Sequence, residues 1–335
     1  MTDDRFLNPQ AEENDEEMQA IETSLRPQMF SDVIGREKEK RSLDILIKAA
    51  KKRNEALDHI LLHGPPGLGK TSLAQVIARE TGVDFYSTSG PAIERKGDLA
   101  SILTNIQDKG ILFIDEIHRL NRSVEEMLYS AMEDKVIDII IGKGPSARTL
   151  KLELNDLTII GATTRVGLLT SPLRDRFGLD LRLDYYAFDE ILELLDQKSK
   201  ILQIKIDAGA KEQIARRSRR TPRLAIRILK RARDLAQVEG KSTINSDIAA
   251  RIFELIDIDD QGLDRLDRKI INAIIEQFHG GPVGLTTLAA TVSEDLDTIQ
   301  DVYEPYLLQE GFLVRTPRGR EVTEKALKFY DLKHE

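Results

Sequence analysis

The stretch HGPPGLGKTS, residues 63–72, constrains this chain more than any other. It follows a short apolar run, HILL, and precedes a helical pattern, SLAQVIARE. Four of residues 63–67 are glycine or proline. A backbone that bare can turn its N–H groups inward around an anion. The helix start that follows adds its positive dipole end. Gly64 to Thr71 spells G-x-x-x-x-G-K-[ST], and its strand-loop-helix setting is the one a phosphate-binding loop requires. Lys70 would reach the terminal phosphates, and the Thr71 hydroxyl would coordinate Mg²⁺. A plain Gly-Pro turn would need neither side chain.

A second apolar run, GILFIDE at 110–116, ends in two acids. Asp115 would hold the metal and Glu116 would polarise an attacking water. A strand closed by solvated acids is common by itself; paired with the loop, it favours hydrolysis over nucleotide holding. A third run, LTIIGATT, ends in Thr163 and Thr164, which could touch the γ-phosphate or place the water. PLRDRFG follows at 172–178. Arg176, beside Arg174, could reach a phosphate held by an adjacent subunit, or form an ordinary surface ion pair. Thr221-Pro222-Arg223 opens a helix, from which Arg223 could cover the γ-phosphate.

Short apolar runs alternate with helical periods from about residue 21 to 183, which predicts an α/β domain with a doubly wound parallel sheet. Residues 184–257 are mostly helical, with no convincing strand. Residues 258–335 run helix, GGPVGLTTLAATV, helix, then two apolar strands around a Gly-Arg turn, then a last helix, as a winged helix would. Residues 1–20, with seven acids and one base, look like a disordered acidic tail.

Net charge is −8, which argues against binding nucleic acid by bulk attraction. Charge is uneven, however: residues 216–233 carry nine bases and no acid. The chain has no cysteine, which excludes disulfides and thiolate metal sites. No apolar run is long enough to span a membrane and no secretory pattern opens the chain, so a cytoplasmic protein is expected.

A narrower resemblance now becomes visible. The stretches LRP at 25–27, GPPGLGKTSLA, TSGPAIERKGDLASILTN, LFIDEIHRL, VEEMLYSAMED, GATTRVGLLTSPLRDRFG, TPRLAIRILKRARD, LDRKII, GGPVGL and TPRGR together resemble the RuvB family, over essentially residues 21–330. These are AAA+ motors that branch-migrate Holliday junctions in recombination and DNA repair. The resemblance implies an AAA+ large domain at 21–183, a helical lid at 184–257, a winged helix from 258, and hexameric rings with ATP between subunits. Leu25 and Arg26 would lie at the base. Gly67, Lys70, Thr71 and Ser72 would hold phosphates, with Mg²⁺ on Thr71 and Asp115. Glu133, Asp134 and Lys135 would approach a neighbour's nucleotide, and Arg176 would be the arginine finger. Tyr186 and Arg223 would contact nucleotide from the lid, and Arg315 and Arg320 would contact the DNA backbone. Ser72 stands where the family often has threonine, Leu157 where it often has phenylalanine, and Lys135 at an often aromatic site.

Residues 136–154 read as a β-hairpin with Ile137, Ile139 and Ile141 on one face, and likewise Leu150, Leu152 and Leu154. The residues fit a core hairpin or an exposed stripe equally. The resemblance implies that the hairpin projects and binds RuvA, with RuvC in the larger assembly. Two other functions share this layout: an AAA+ loader or initiator acting on DNA, and a nucleotide-switched winged-helix signalling module.

Overall fold

A computed structural model describes residues 24–141 and 148–334. The expected acidic tail at 1–20 and the hairpin turn lie outside the described residues. The chain forms two compact units: residues up to 64 with 69–183, and residues 65–68 with 184 onward.

The first unit is built on a five-stranded parallel sheet. Its strands are β1 (Ile60–His63), β2 (Phe85–Ser89), β3 (Gly110–Asp115), β6 (Leu157–Thr163) and β7 (Leu179–Arg182), in the order β2-β3-β6-β1-β7. The helices α1 (Glu37–Arg53), α2 (Lys70–Thr81), α3 (Lys96–Thr104) and α4 (Arg122–Glu133) belong to the same unit. Residues 60–62, 110–114 and 157–163 are all buried, which is why these strands read as unbroken apolar runs. Strand β6 lies between β1 and β3, so the loop-bearing and acid-bearing strands are not neighbours. His63 pairs with Thr163, and Ile114 with Gly161. The ends of β1, β3 and β6 therefore share one edge of the sheet, where such folds place ligands.

Helix α4 starts at Asn121, whose side chain accepts from the Val124 amide at 3.0 Å. A cap of this kind contributes about 1 kcal/mol. The helix buries Val124, Met127, Leu128, Ala131 and Met132 in the core. Strands β4 (Val136–Ile141) and β5 (Arg148–Glu153) form the expected antiparallel hairpin. In the strand register Ile137 pairs with Leu152, and Ile139 with Leu150. Ile137 is buried, and Leu152 and Leu154 pack against the core, whereas Leu150 is exposed. Along β5 the leucines thus pass from core at Leu152 to surface at Leu150.

The second unit contains a helical module of α5 (Phe188–Ile201), α6 (Ala208–Arg217), α7 (Pro222–Val238) and α8 (Ser246–Leu255). The strandless reading of this region is corrected by β8 (Lys205–Ile206) and β9 (Thr243–Ile244), which pair in parallel. Two residues carry no alternation to read; the pairing is imposed by helix packing. Most of the cationic run at 216–233 is consumed by the fold. Arg216 pairs with Glu212, Arg217 with Asp260, Arg219 with Asp264 and Asp267, and Arg231 and Arg233 with Asp234.

The winged helix follows: α9 (Arg265–Phe278), α10 (Leu285–Val292), a helical segment at 296–309, β10 (Leu313–Thr316), β11 (Gly319–Val322) and α11 (Glu324–His334). Only Pro317 and Arg318 separate the two wing strands. Residue 319 has to be glycine: at φ 146° a Cβ there would lie 2.4 Å from the Val283 carbonyl oxygen. Val283 and Arg320 exchange backbone hydrogen bonds at 2.9 and 2.8 Å across that gap.

Candidate functional site

In the first unit the loop leaves β1 at Gly64, whose φ is 139° and whose Cβ would fall 2.2 Å from the Leu183 carbonyl oxygen. Only glycine fits so close an approach. The Gly64 amide donates to the Thr163 carbonyl at 3.2 Å, tying the loop to β6. Lys70 opens α2, is buried, and donates from Nζ to the Gly64 carbonyl at 2.7 Å. A buried ammonium on a carbonyl is poised for a stronger anionic acceptor. The Thr71 hydroxyl donates to Asp115 Oδ2 at 3.5 Å, and Ser72 is half-buried beside it. One hydroxyl and one carboxylate so close can share a hard divalent cation. Glu116 leaves β3 at φ 48°, and its amide donates to Asp115 Oδ1 at 3.0 Å. Its carboxylate accepts from Arg119 at 3.2 Å, a half-exposed and therefore weak pair.

Thr163 and Thr164 differ. Thr163 is fully buried, and its hydroxyl is 2.9 Å from His118 Nδ1 and accepts from the Arg165 amide at 2.9 Å. Its hydroxyl is thus engaged by the fold, while Thr164 is half-exposed. His118 is the residue that sequence reasoning passed over. It sits three residues after Asp115 within LFIDEIHRL, a spacing that carries it across to β6.

Arg176 follows the helical turn Ser171–Arg174. Its Nη2 lies 2.6 Å from Glu133 Oε2, and its Nη1 donates to the Pro172 carbonyl at 2.8 Å. Its guanidinium carbon stands 4.8 Å from the Tyr129 ring centre. The Tyr129 hydroxyl donates to Glu125 at 2.7 Å and is 2.7 Å from the Thr170 hydroxyl. Burial pushes the Tyr129 phenol above its usual range. Glu125, Tyr129 and Glu133, spaced by four residues, thus form one face of α4 that carries the arginine. Glu125 and Tyr129 lie in the stretch VEEMLYSAMED, but only the packing reveals what they hold. Glu133, Asp134 and Lys135 are exposed at the end of α4, with Lys135 paired to Asp156 at 2.5 Å. Leu25 is buried and Arg26 is exposed.

In the second unit, the Arg223 amide donates to the Gly67 carbonyl at 3.3 Å, and the Arg223 side chain is exposed. Tyr186 is buried; its amide donates to the Arg220 carbonyl at 3.1 Å, and Arg220 Nε donates back to the Tyr186 carbonyl at 2.7 Å. At the wing, Arg315, Arg318 and Arg320 do not share one environment. Arg320 donates from Nε and Nη2 to Glu304 at 2.9 and 3.1 Å, and its side chain is 14% exposed. Arg315 lies 2.8 Å from the same carboxylate but is 53% exposed, and Arg318 is exposed. The Glu304 side chain is only 2% exposed, so a buried carboxylate from the preceding helix sets the wing's cations.

A parallel sheet with a phosphate loop on β1 and an acid pair at the end of β3, followed by a helical module and a winged helix, defines an AAA+ P-loop ATPase. Residues 25–183 match the family described as the Holliday junction DNA helicase RuvB P-loop domain, residues 186–259 the RuvB AAA lid domain, and residues 260–331 the RuvB C-terminal winged helix domain. The chain belongs to the RuvB family. It is similar to the Thermotoga maritima RuvB Holliday junction branch migration motor, at 50% identity and TM-score 0.84, over 92% of this chain and 98% of that one. A mutant of the Thermotoga maritima RuvB superposes at TM-score 0.85, with the same identity and coverage. Among the described residues no helix is long and apolar enough to cross a membrane.

Proposed function

We propose that this protein is an ATP-driven DNA motor that drives branch migration of Holliday junctions in recombination and repair. The observation that carries the reading is the convergence of Lys70, Thr71 and Asp115 at one sheet edge, with Thr71 and Asp115 3.5 Å apart, in a chain of the RuvB family. ATP is held by the loop, with Leu25 and Arg26 at the base and Gly67, Lys70, Thr71 and Ser72 on the phosphates. Thr71 and Asp115 hold Mg²⁺, which offsets phosphate charge when bound. Glu116 orients and polarises the attacking water. Thr163, tied to His118, sets the position of Thr164 beside it. Tyr186 and Arg223 contact the nucleotide from the lid.

The working assembly is a homohexameric ring in the cytoplasm. Its large domain spans 21–183, its lid 184–257 and its winged helix 258–335. Arg176, with Glu133, Asp134 and Lys135, serves a neighbour's nucleotide, where an arginine stabilises transferring-phosphoryl charge. The hairpin 136–154 docks on RuvA through its apolar stripe, and RuvC joins the larger complex. Arg315 at the wing grips the backbone of the junction's duplex arms, a contact that needs charge and donors but no base code, while Arg320, held on Glu304, keeps the wing in shape.

The test is ATP-dependent migration of a synthetic four-way junction, with and without RuvA. Sustained, DNA-stimulated turnover with movement of the branch point supports the reading. ATP binding with very slow turnover and no movement points to a signalling switch, and movement of a second protein onto DNA points to a loader.

A further inference from the structure

The joint between the helical module and the winged helix centres on one side chain. Arg219 and Arg220 lie between α6 and α7, and both adopt left-handed backbone, at φ 51° and 53°. Two successive non-glycine residues in that region persist only where the surroundings over-determine them. Their side chains supply that determination in two directions. Arg220 donates to the Tyr186 carbonyl at 2.7 Å, within the helical module. Arg219 instead grips the winged helix. It donates from Nη2 to Asp264 at 2.8 Å and to Asp267, and from Nε to the Gly262 carbonyl at 3.1 Å. Its guanidinium carbon stands 5.0 Å from the ring centre of Tyr306 and 5.7 Å from that of Tyr303.

Both ends of this joint lead to sites already described. Toward the nucleotide, Thr221 follows Arg220 directly, and the Arg223 amide donates to the Gly67 carbonyl of the phosphate loop at 3.3 Å. Toward the wing, Tyr303 precedes Glu304, the carboxylate that holds Arg315 and Arg320. Asp264 caps α9 by accepting from the Leu266 and Asp267 amides at 2.9 and 3.1 Å, so the same contact fixes the first helix of the winged helix. Other ion pairs cross the joint: Arg217 meets Asp260, 87% exposed, and Arg268 meets Asp257, 60% exposed, and at 3.6 Å also Asp259, 9% exposed. The first two rest on solvated acids and hold geometry weakly, and the third is long. Asp267 is fully buried and Arg219 is 11% exposed, so their pairing is undiluted by solvent.

We propose that Arg219 is the positioning residue that couples the nucleotide-binding end of the lid to the DNA-binding wing, so that each ligand is sensed at the other's site through this one guanidinium. The proposal rests on the functional reading above. It makes Arg219 neither a nucleotide nor a DNA ligand. Its removal should therefore cut communication and spare both binding events.

Coupling between two ligands is reciprocal, typically about 5- to 150-fold in affinity, and this gives the test. In the full chain carrying Glu116→Gln, ATP affinity is measured with and without saturating duplex DNA, and duplex affinity with and without ATP. Arg219→Gln is then added. Both affinities measured alone should stay near those of the parent, while the two coupling factors fall together toward one, by about 5-fold or more. Arg219→Lys should also lose most of the coupling, because an ammonium keeps the charge but not the fork that spans two carboxylates and a carbonyl. Should thermal melts show that Arg219→Gln is unfolded, Arg219→Lys, which keeps the positive charge, carries the test. A folded Arg219→Gln or Arg219→Lys protein with parental coupling overturns the inference alone, as does a parent that binds both ligands without coupling. A parent that binds no duplex overturns the functional reading, and this inference with it.

Discussion

Arg176 and Glu133 pair at 2.6 Å within one chain, on the surface of α4. The arginine that the functional reading gives to a neighbour's phosphate is thus held by a carboxylate, a carbonyl and the Tyr129 ring. A phosphate would compete with Glu133 for the same guanidinium. Arg176→Ala should lower turnover by about 10³-fold or more, the usual worth of such a finger. Mixing Arg176→Ala with Lys70→Ala protein should restore ATPase above the sum of the two alone, because some mixed sites pair an intact loop with an intact finger. No recovery in rings shown to be mixed would place Arg176 within its own site.

The Lys70 ammonium rests 2.7 Å from the Gly64 carbonyl, and Glu116 stands beyond Asp115 on the same edge. The two should separate binding from chemistry. Lys70→Ala should weaken ATP binding severely. Glu116→Gln should bind ATP near normally and hydrolyse it about 10²- to 10⁴-fold more slowly, the range for a lost general base. Nucleotide titration and single-turnover hydrolysis measure the pair. Loss of binding in Glu116→Gln would make that residue structural.

At the wing, Arg315 and Arg320 should no longer behave alike. Removing Arg320 leaves Glu304 buried with one half-exposed partner, a loss that costs about 3–5 kcal/mol when a buried pair is broken. Arg320→Ala should therefore lower the melting temperature. Arg315→Ala should leave the fold intact and weaken duplex binding for all sequences alike, reducing the salt slope by about one. A calorimetric scan and a salt series on each variant distinguish the two roles. Equal effects of both substitutions on stability would reject this division of roles.

Burial pushes Asp267 up to about 7, with Arg219 pulling the other way. An acid whose folded pKa lies above its free value binds its proton more tightly when folded. Its contribution to stability is fully present below about pH 4 and is lost as pH rises through about 7. Wild type should therefore gain stability relative to Asp267→Asn as pH falls from 8 to 4. Parallel denaturation curves across that range would show that Asp267 stays ionised throughout.

Much of this was legible in the residues. The phosphate loop, the acid pair on β3 and the wing declare themselves because each uses local backbone chemistry: glycines where the chain turns, acids where a strand ends, Gly319 where two backbones meet. The two-residue strands β8 and β9 were not legible, since so short a pairing has no period.

Local chemistry, then, was written in the order of residues: which loop turns, which strand is buried on both faces, which side chains could hold phosphate, metal and water. Pairing across the chain was decided only by tertiary structure. That Arg320 meets Glu304, that Arg176 lies on Tyr129 and Glu133, and that Arg219 meets Asp267 48 residues away depend on how helices pack. The physical reason is that an arginine's charge is the same on a solvated face as against a buried carboxylate. Only burial distinguishes the two, and burial is a property of the folded chain.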